Sequence, residues 1–287
     1  MMPGSMSLRL ADWFLKKAHA TASPGLTTFA ARRAIGAVIA ASPASLADFR
    51  KLKQPKSPPK TAPQDEHLKA ALTDLYAIAN AANIKVFLMF GTLLGAVRNK
   101  GFIPNDKDID VGLIGRDEFV RLAGLLQSSA FKVHYNPRKL KLSLQHRSGV
   151  PLDVKLFEPE SDGQWTWTSD MDHYTWKNRC PYIGPEAPLT FLGLDVWVPQ
   201  QAEQFLEWHY GPGWREPASN YNRLVGRESD DPVLNDIIVR AAPFVAYKAF
   251  RAGKIRTARV IAERLCRLTP EDPMWPAFKS VLDGLPG

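Results

Sequence analysis

The sequence predicts an α+β protein: a mixed sheet with flanking helices, a basic N-terminal arm and a C-terminal helical hairpin. Helical and strand patterns alternate between residues 65 and 157, which is typical of a mixed sheet covered by helices. The chain has 287 residues, 45% of them hydrophobic, which is sufficient for a globular core. The excess positive charge is confined to the first 62 residues. We therefore expect an arm (1–64), a central α+β domain (65–231) and a helical cap (232–287).

The order of elements follows from the apolar spacing. A helical period over residues 65–82 leads into a nearly all-apolar segment, 84–90, which predicts a buried strand. Further helices are expected at residues 92–99, 117–126, 202–209, 233–252 and 255–268. Further strands are expected at residues 106–113, 131–136, 140–146, 152–157, 165–168 and 189–197. Residues 159–199 otherwise show little periodicity, so we expect mostly loops there.

The N-terminal arm carries the net charge of the whole chain. Residues 1–62 hold ten of the 37 basic and two of the 29 acidic residues, a net charge of +8 that equals the total. Residues 8–17 form a short amphipathic stretch with Trp13 and Phe14, and residues 50–64 have the Pro- and Lys-rich composition of a linker. A docked arm without a separate function and a peripheral contact with an anionic membrane both stay open. Because the remaining residues are neutral overall, no nucleic-acid partner is expected.

Three further features restrict the class of protein. The sequence contains no apolar stretch of about 20 residues, so no transmembrane helix is expected. Cys180 and Cys266 form neither a disulfide framework nor a zinc motif, which is typical of a cytoplasmic protein. The pattern around Ala246, Ala249 and Gly253 resembles a single tetratricopeptide-type hairpin, which serves either as a helical cap or as a partner-binding surface.

The strongest chemical signal is the acidic segment Asp106-Lys107-Asp108-Ile109-Asp110. Alternate side chains of a strand project to one side, so Asp106, Asp108 and Asp110 are expected to converge. Carboxylates this close repel one another unless a cation such as Mg²⁺ or Mn²⁺ neutralises them. A solvated strand end is the alternative interpretation.

Gly91 and Thr92 lie between the predicted buried strand and the following helix. Backbone N–H groups at such a turn can hold a phosphate, and glycine removes the side chain that would obstruct it. A Gly-Thr turn alone is weak evidence, but a phosphate and the metal that bridges it need adjacent sites. The turn and the acidic segment together predict such a site.

Together these motifs resemble the LicD/fukutin family of the nucleotidyltransferase fold. The matching motifs are GTLLGAVR at 91–98, GFIP at 101–104 and DKDID at 106–110, followed by the later strand PLDVKLF at 151–157 and by FLGLDVWVP at 191–199. The resemblance spans residues 66–222. Asn105 and Lys107 depart from the family pattern, which leaves the donor specificity open.

The resemblance implies transfer of a phosphorylated alcohol, such as phosphocholine or an alditol phosphate. The donor would be CDP-activated, and the acceptor would be a hydroxyl of a cell-surface or lipid-linked glycan. Asp108 and Asp110, assisted by Asp106, would hold the Mg²⁺ or Mn²⁺. Asp153 would either complete the metal shell or act as general base. The candidate phosphate-binding residues are Gly91, Thr92, Arg98 and Lys100. For Arg98 and Lys100, the alternative is that they are surface charges at a helix end.

Two other functions stay open at this point. One is a nucleotidyltransferase that moves NMP from an NTP to a small molecule, which would release pyrophosphate. The other is a catalytically inactive scaffold that binds partners through the basic arm and the helical tail.

Overall fold

The computed structural model describes residues 3–46, 63–104, 106–136, 140–171, 174–217 and 232–285. The chain forms two compact units. The helical unit combines both ends of the chain, Met1–Pro59 and Pro217–Gly287, with the short segment Met171–Tyr174. The sheet unit comprises Lys60–Asp170 and Thr175–Glu216. The expected N-terminal arm and C-terminal cap, predicted as separate segments, thus belong to one unit.

The elements below are numbered in chain order. The helices are α1 (Pro3–Ala20), α2 (Pro24–Ile39), α3 (Asp65–Ala81), α4 (Phe90–Leu94), a π-helix (Gly95–Asn99), α5 (Arg116–Gln127), α6 (Ala202–Tyr210), α7 (Pro232–Arg251), α8 (Ile255–Leu268) and α9 (Met274–Asp283). The strands are β1 (Val86–Leu88), β2 (Ile109–Ile114), β3 (Phe131–Asn136), β4 (Lys141–His146), β5 (Pro151–Pro159), β6 (Trp165–Met171), β7 (Tyr174–Cys180), β8 (Glu186–Phe191) and β9 (Leu194–Pro199).

The predicted mixed sheet is confirmed. Its main path runs β3-β4-β5-β2-β1-β9-β8, and β6 and β7 extend it from β5. Strand β2 is parallel to β5 and β1 is parallel to β9, whereas β1–β2, β3–β4, β4–β5 and β8–β9 are antiparallel. Strand β2 therefore lies inside the sheet, and hydrogen bonds on both sides fix its backbone.

Helix α3 covers the sheet through an apolar stripe. Leu68, Leu72 and Leu75 recur at helical spacing and are buried in the main hydrophobic cluster. The hydroxyl of Tyr76 donates to the Val86 carbonyl at 2.7 Å and accepts from the Trp197 N–H at 3.3 Å. One side chain thus links α3 to β1 and β9, the two strands on one side of β2.

Strand β2 packs closely against neighbouring aromatic rings at Gly112. A Cβ at this position would lie 2.5 Å and 2.6 Å from two Phe87 ring carbons and 2.7 Å from a Phe157 ring carbon. Only glycine fits between these rings without displacing them. The absence of a side chain at residue 112 therefore maintains the packing of the strand that carries Asp110.

We expect Gly112→Ala to lower the free energy of unfolding of the sheet unit by about 1–3 kcal/mol, because the added methyl group overpacks the core. Urea denaturation measures the change. Gly124→Ala is the matched control: its Cβ would meet nothing within 4 Å on α5. Alanine there should stabilise the helix by about 0.5–1 kcal/mol. Equal effects of the two substitutions would contradict this interpretation.

The helical unit has a hydrophobic core of its own. Helices α1 and α2 form a hairpin, and α2 also packs on α7 and α9. The core contains Leu8 and Ile35 from the N-terminal helices with Tyr247, Phe250 and Phe278 from the C-terminal ones. The segment expected to be an arm is thus folded at residues 3–39. The expected linker, residues 50–64, falls mostly outside the described residues.

Several boundaries differ from the expected ones. The buried strand expected at 84–90 covers only Val86–Leu88, because Phe90 has a positive φ of 46° and begins α4. Residues 159–199, expected to be mostly loops, contain complete strands β6, β7, β8 and β9. Helices α2 and α9 were not predicted. In contrast, α6, α7 and α8 agree with the expected helices to within two residues.

None of the described helices combines the length and the apolar composition needed to cross a bilayer.

Candidate functional site

The turn from β1 into α4 holds a strained residue. Phe90 has a φ of 46°, which is a rare backbone conformation for a bulky side chain and costs on the order of 1–3 kcal/mol. Its ring centroid lies 5.0 Å from His209, 5.9 Å from Phe205 and 6.3 Å from Trp167. These aromatic contacts hold the turn in place, so Gly91 and Thr92 follow in a fixed position at the start of α4.

Two hydrogen bonds join this turn to β2. The Asp110 N–H donates to Thr92 Oγ1 at 2.9 Å, and the Met89 N–H donates to the Asp110 carbonyl at 3.0 Å. Thr92 itself is buried, with 1% of its surface exposed. The structure therefore places the Thr92 hydroxyl against the backbone of the acidic strand, where it positions Asp110. The predicted adjacency of the Gly-Thr turn and the acidic segment is observed.

Four carboxylates gather beside the turn. Asp110 on β2 is in register with Asp153 on the parallel neighbour β5. Asp108 lies close enough to raise the pKa of Asp110 and of Asp106 by repulsion, and Asp153 raises that of Asp108. All three aspartates of the acidic segment are partly buried, whereas Lys107 between them is exposed.

The expectation that all three aspartates lie on one strand is wrong. Strand β2 begins at Ile109, so only Asp110 belongs to it. The Asp106 N–H bonds to the Ile103 carbonyl at 2.9 Å in a tight turn, and β1 ends at Leu88 opposite Val111. Residues 106–108 therefore have no partner strand on that side and lie outside regular secondary structure, so strand alternation does not direct Asp106 and Asp108.

Burial and mutual repulsion make the ionised forms of Asp106, Asp108 and Asp110 unfavourable. Burial, followed by repulsion from Asp108, raises the pKa of Asp110 to about 7 and that of Asp106 to about 6. Burial and then Asp153 raise the pKa of Asp108. A nearby positive charge would stabilise the ionised form of these carboxylates and so offset the cost of their burial.

The chemistry of this site fits a hard divalent cation. Its donors are carboxylate oxygens, which Mg²⁺ and Mn²⁺ prefer. Asp106 Oδ2 is buried without a hydrogen-bond partner, while Oδ1 accepts from the Lys107 N–H at 3.0 Å. A Cβ at Gly91 would lie 3.9 Å from both Asp106 oxygens, so a larger side chain there would extend toward this carboxylate.

The side chains are nevertheless not preassembled around one point. Among the described residues, no three Asp, Glu, His or Cys side chains are grouped closely enough to hold a metal ion. Asp153 instead accepts from Ser143 Oγ at 3.0 Å and pairs with Lys141 at 2.5 Å. Binding of a cation therefore requires side-chain rotation in this cluster, with release of Lys141 if Asp153 takes part.

A comparison with known protein families identifies the domain that contains this site. Residues 83–201, from just before β1 to just after β9, match the family model described as the LicD/FKTN/FKRP nucleotidyltransferase domain. Over these residues, which are less than half of the chain, the protein is similar to the LicD/fukutin family. The resemblance inferred from the sequence motifs is thereby confirmed.

Three relatives illustrate how far the similarity extends. Human ribitol-5-phosphate transferase FKTN is 28% identical over 150 residues, which is 50% of this chain and 32% of the relative. Human ribitol 5-phosphate transferase FKRP is 27% identical over 151 residues, 47% of this chain and 29% of the relative. An uncharacterised protein of Rickettsia typhi is 32% identical over 93 residues, 32% of this chain and 28% of the relative. The chain thus spans about a third of the length of these relatives.

Sequence reasoning missed a buried cation in the LicD domain. Lys155 on β5 is 6% exposed and, two residues after Asp153, projects from the same face of the strand. Its Nζ lies 5.8 Å from the centre of the Phe90 ring, and its charge lowers the pKa of Asp108 and Asp110. A lysine between the apolar residues Val154 and Leu156, in phase with Asp153, was the signal that would have indicated it.

The two expected phosphate-binding cations of the LicD domain differ in position. Arg98, in the π-helix, donates from Nε to Asn99 Oδ1 at 2.8 Å and from Nη1 to the Trp214 carbonyl at 3.1 Å. Its guanidinium thus connects the π-helix to the segment after α6. Lys100 is exposed and has a left-handed φ of 56°, which ends the π-helix. Asn105, where the family motif differs, lies outside the described residues.

Proposed function

We propose that this protein is a metal-dependent transferase that moves a phosphorylated alcohol from a CDP-activated donor to a glycan hydroxyl. The observation that supports this most strongly is the group of carboxylates with raised pKa values beside the Phe90–Thr92 turn. The name ribitol-5-phosphate transferase, carried by FKTN and FKRP, favours an alditol phosphate over phosphocholine as the transferred group.

In this proposal Asp108 and Asp110 hold Mg²⁺ or Mn²⁺, and Asp106 contributes its unpartnered Oδ2. When bound, the cation neutralises the diphosphate of the donor and stabilises the departing CMP. The backbone N–H groups of Gly91 and Thr92 would bind the phosphates at the start of α4, next to Asp110, whose N–H donates to the Thr92 hydroxyl. Lys155 adds a fixed positive charge on the same side of the sheet.

Asp153 is the fourth carboxylate of the candidate site. Its oxygens already bond to Ser143 and Lys141, so its position is fixed beside Asp110. We propose that it completes the carboxylate set around the cation. Ser143 then orients Asp153 through Oδ1, while Lys141 releases Oδ2 for the cation.

The experiment that tests this proposal measures CMP release. Purified full-length protein is incubated with Mn²⁺ and with CDP-ribitol, CDP-glycerol or CDP-choline, together with an oligosaccharide acceptor. We expect CMP from an alditol donor, and none after chelation with EDTA. Absence of CMP from all three donors would contradict the proposal, and pyrophosphate release from CTP would favour a nucleotidyltransferase instead.

Lys155→Met should lower kcat/KM for the CDP-alditol by roughly 10²-fold, since one preorganised positive charge beside the reacting phosphate is lost. Methionine keeps a long side chain that packs in the same space, so the melting temperature should change little. Lys132→Met is the matched control, because Lys132 is an exposed strand lysine of the same sheet. An equal loss in both variants, or full activity of Lys155→Met, would contradict the role of Lys155.

A further inference from the structure

The helical unit has an exposed apolar surface on the α1–α2 hairpin. Leu10, Trp13 and Phe14 on α1 are 64%, 56% and 40% exposed, and Leu26 and Phe29 on α2 are 39% and 54% exposed. We call these five residues the hairpin face. Of the eight large apolar side chains that are exposed in the described part of the chain, five belong to it. Such clustering is typical of an interaction site rather than of a random surface.

The hairpin face is continuous across the two helices. Leu10 and Phe14 recur at helical spacing on α1, and together with Phe29 they line a groove of about 920 Å³. Gly36 and Ala37 line the same groove and leave it open, because their side chains are small. Leu10 and Phe14 of α1 and Phe29 of α2 thus line one common surface.

Cations border this face. The Lys17 ammonium lies 5.9 Å from the centre of the Trp13 ring, and the Arg33 guanidinium lies 5.8 Å from that of Phe29. Asp12, on α1 itself, is turned inward and bonds to Arg251 and Lys16. At the groove, Arg32 pairs with Asp272.

We propose that the hairpin face docks on a bilayer surface that contains anionic phospholipids. Indole and phenyl rings insert at the boundary between headgroups and acyl chains, while Lys17 and Arg33 remain at the level of the lipid phosphates. Charge complementarity favours this partner. A second copy of the chain would bring the same cations, Lys17 and Arg33, to the interface, and the five residues of the hairpin face supply no acidic partner for them. This proposal depends on the hairpin face alone and is independent of the proposed activity.

The test is co-sedimentation of the full-length protein with vesicles of phosphatidylcholine alone or mixed with phosphatidylglycerol. We expect binding to the mixed vesicles that weakens with salt, and weaker binding to phosphatidylcholine alone. The double variant Trp13→Ser/Phe14→Ser should bind the mixed vesicles about tenfold more weakly, because the inserting rings are lost. The double variant Lys17→Gln/Arg33→Gln should also bind the mixed vesicles about tenfold more weakly, but its binding to phosphatidylcholine alone should not change.

Val120→Ser/Leu125→Ser is the matched control, since both residues are exposed and apolar but lie on α5 of the sheet unit. It should bind like the wild type. Failure of the wild type to bind mixed vesicles, or equal loss in the control, would overturn the proposal. So would a dimer in analytical ultracentrifugation that Trp13→Ser/Phe14→Ser abolishes, because a second copy would then cover the face.

Discussion

Asp108→Asn and Asp110→Asn are each expected to reduce CMP release from a CDP-alditol by at least roughly 10³-fold. Each substitution removes a negative charge from the carboxylate set that is proposed to hold the cation, and a bound cation contributes several kcal/mol to transition-state stabilisation. Asparagine has nearly the same shape as aspartate. The melting temperature of the metal-free protein should therefore not fall, and relief of repulsion among Asp106, Asp108 and Asp110 should raise it.

Asp195→Asn provides the comparison for this loss. Asp195 belongs to the same unit but is exposed on β9, where it accepts from the Thr190 hydroxyl at 3.4 Å. It should retain full activity. Wild-type turnover in Asp110→Asn, or a loss of the same size in Asp195→Asn, would show that the acidic cluster is not the reacting site.

The second large effect concerns the pH dependence of stability without metal. The Asp110 carboxyl has a pKa of about 7 in the folded protein, against 3.8 for an ordinary aspartate. The native state thus retains this proton between pH 4 and pH 7, while the unfolded chain releases it. Stability from this group is full below pH 4 and is lost as the pH rises through 7, which amounts to a few kcal/mol.

Asp110→Asn removes this contribution. The charged groups that act on Asp110 are Asp108, Lys155, Asp153 and Asp106. These groups, and the other titrating groups of the chain, are present in the wild type and in Asp110→Asn alike. In urea denaturation with EDTA, the free energy of unfolding of the variant minus that of the wild type should therefore grow by a few kcal/mol from pH 4 to pH 7. A difference that stays constant or shrinks between pH 4 and pH 7 would show that the folded protein does not keep Asp110 protonated over this interval.

The sheet unit was largely predictable because its signals are local. A strand was expected at residues 106–113, and the structure has one at Ile109–Ile114. The four strands after residue 159 were underestimated, although Leu192 and Gly193, with φ values of 54° and 79°, form the type of tight turn that joins β8 to β9. Trp, Pro and Asp in this region obscured the period of two that identifies a strand.

The helical unit was less predictable for a different reason. Helix α2 has a local start signal, Ser23 followed by Pro24, and the Ser23 hydroxyl accepts from the Leu26 N–H. The pairing of α2 with α7, more than 190 residues later, leaves no local trace in one sequence. Lys155 was missed because burial of a lysine beside Asp110 depends on the parallel pairing of β2 with β5.

Calorimetric titration of metal-free protein with Mn²⁺ tests most directly whether the acidic cluster holds a cation. We predict one binding event in the wild type and in Asp195→Asn, and its loss in Asp108→Asn and Asp110→Asn. No heat of binding in the wild type, or undiminished binding in Asp110→Asn, would contradict a metal site at these carboxylates.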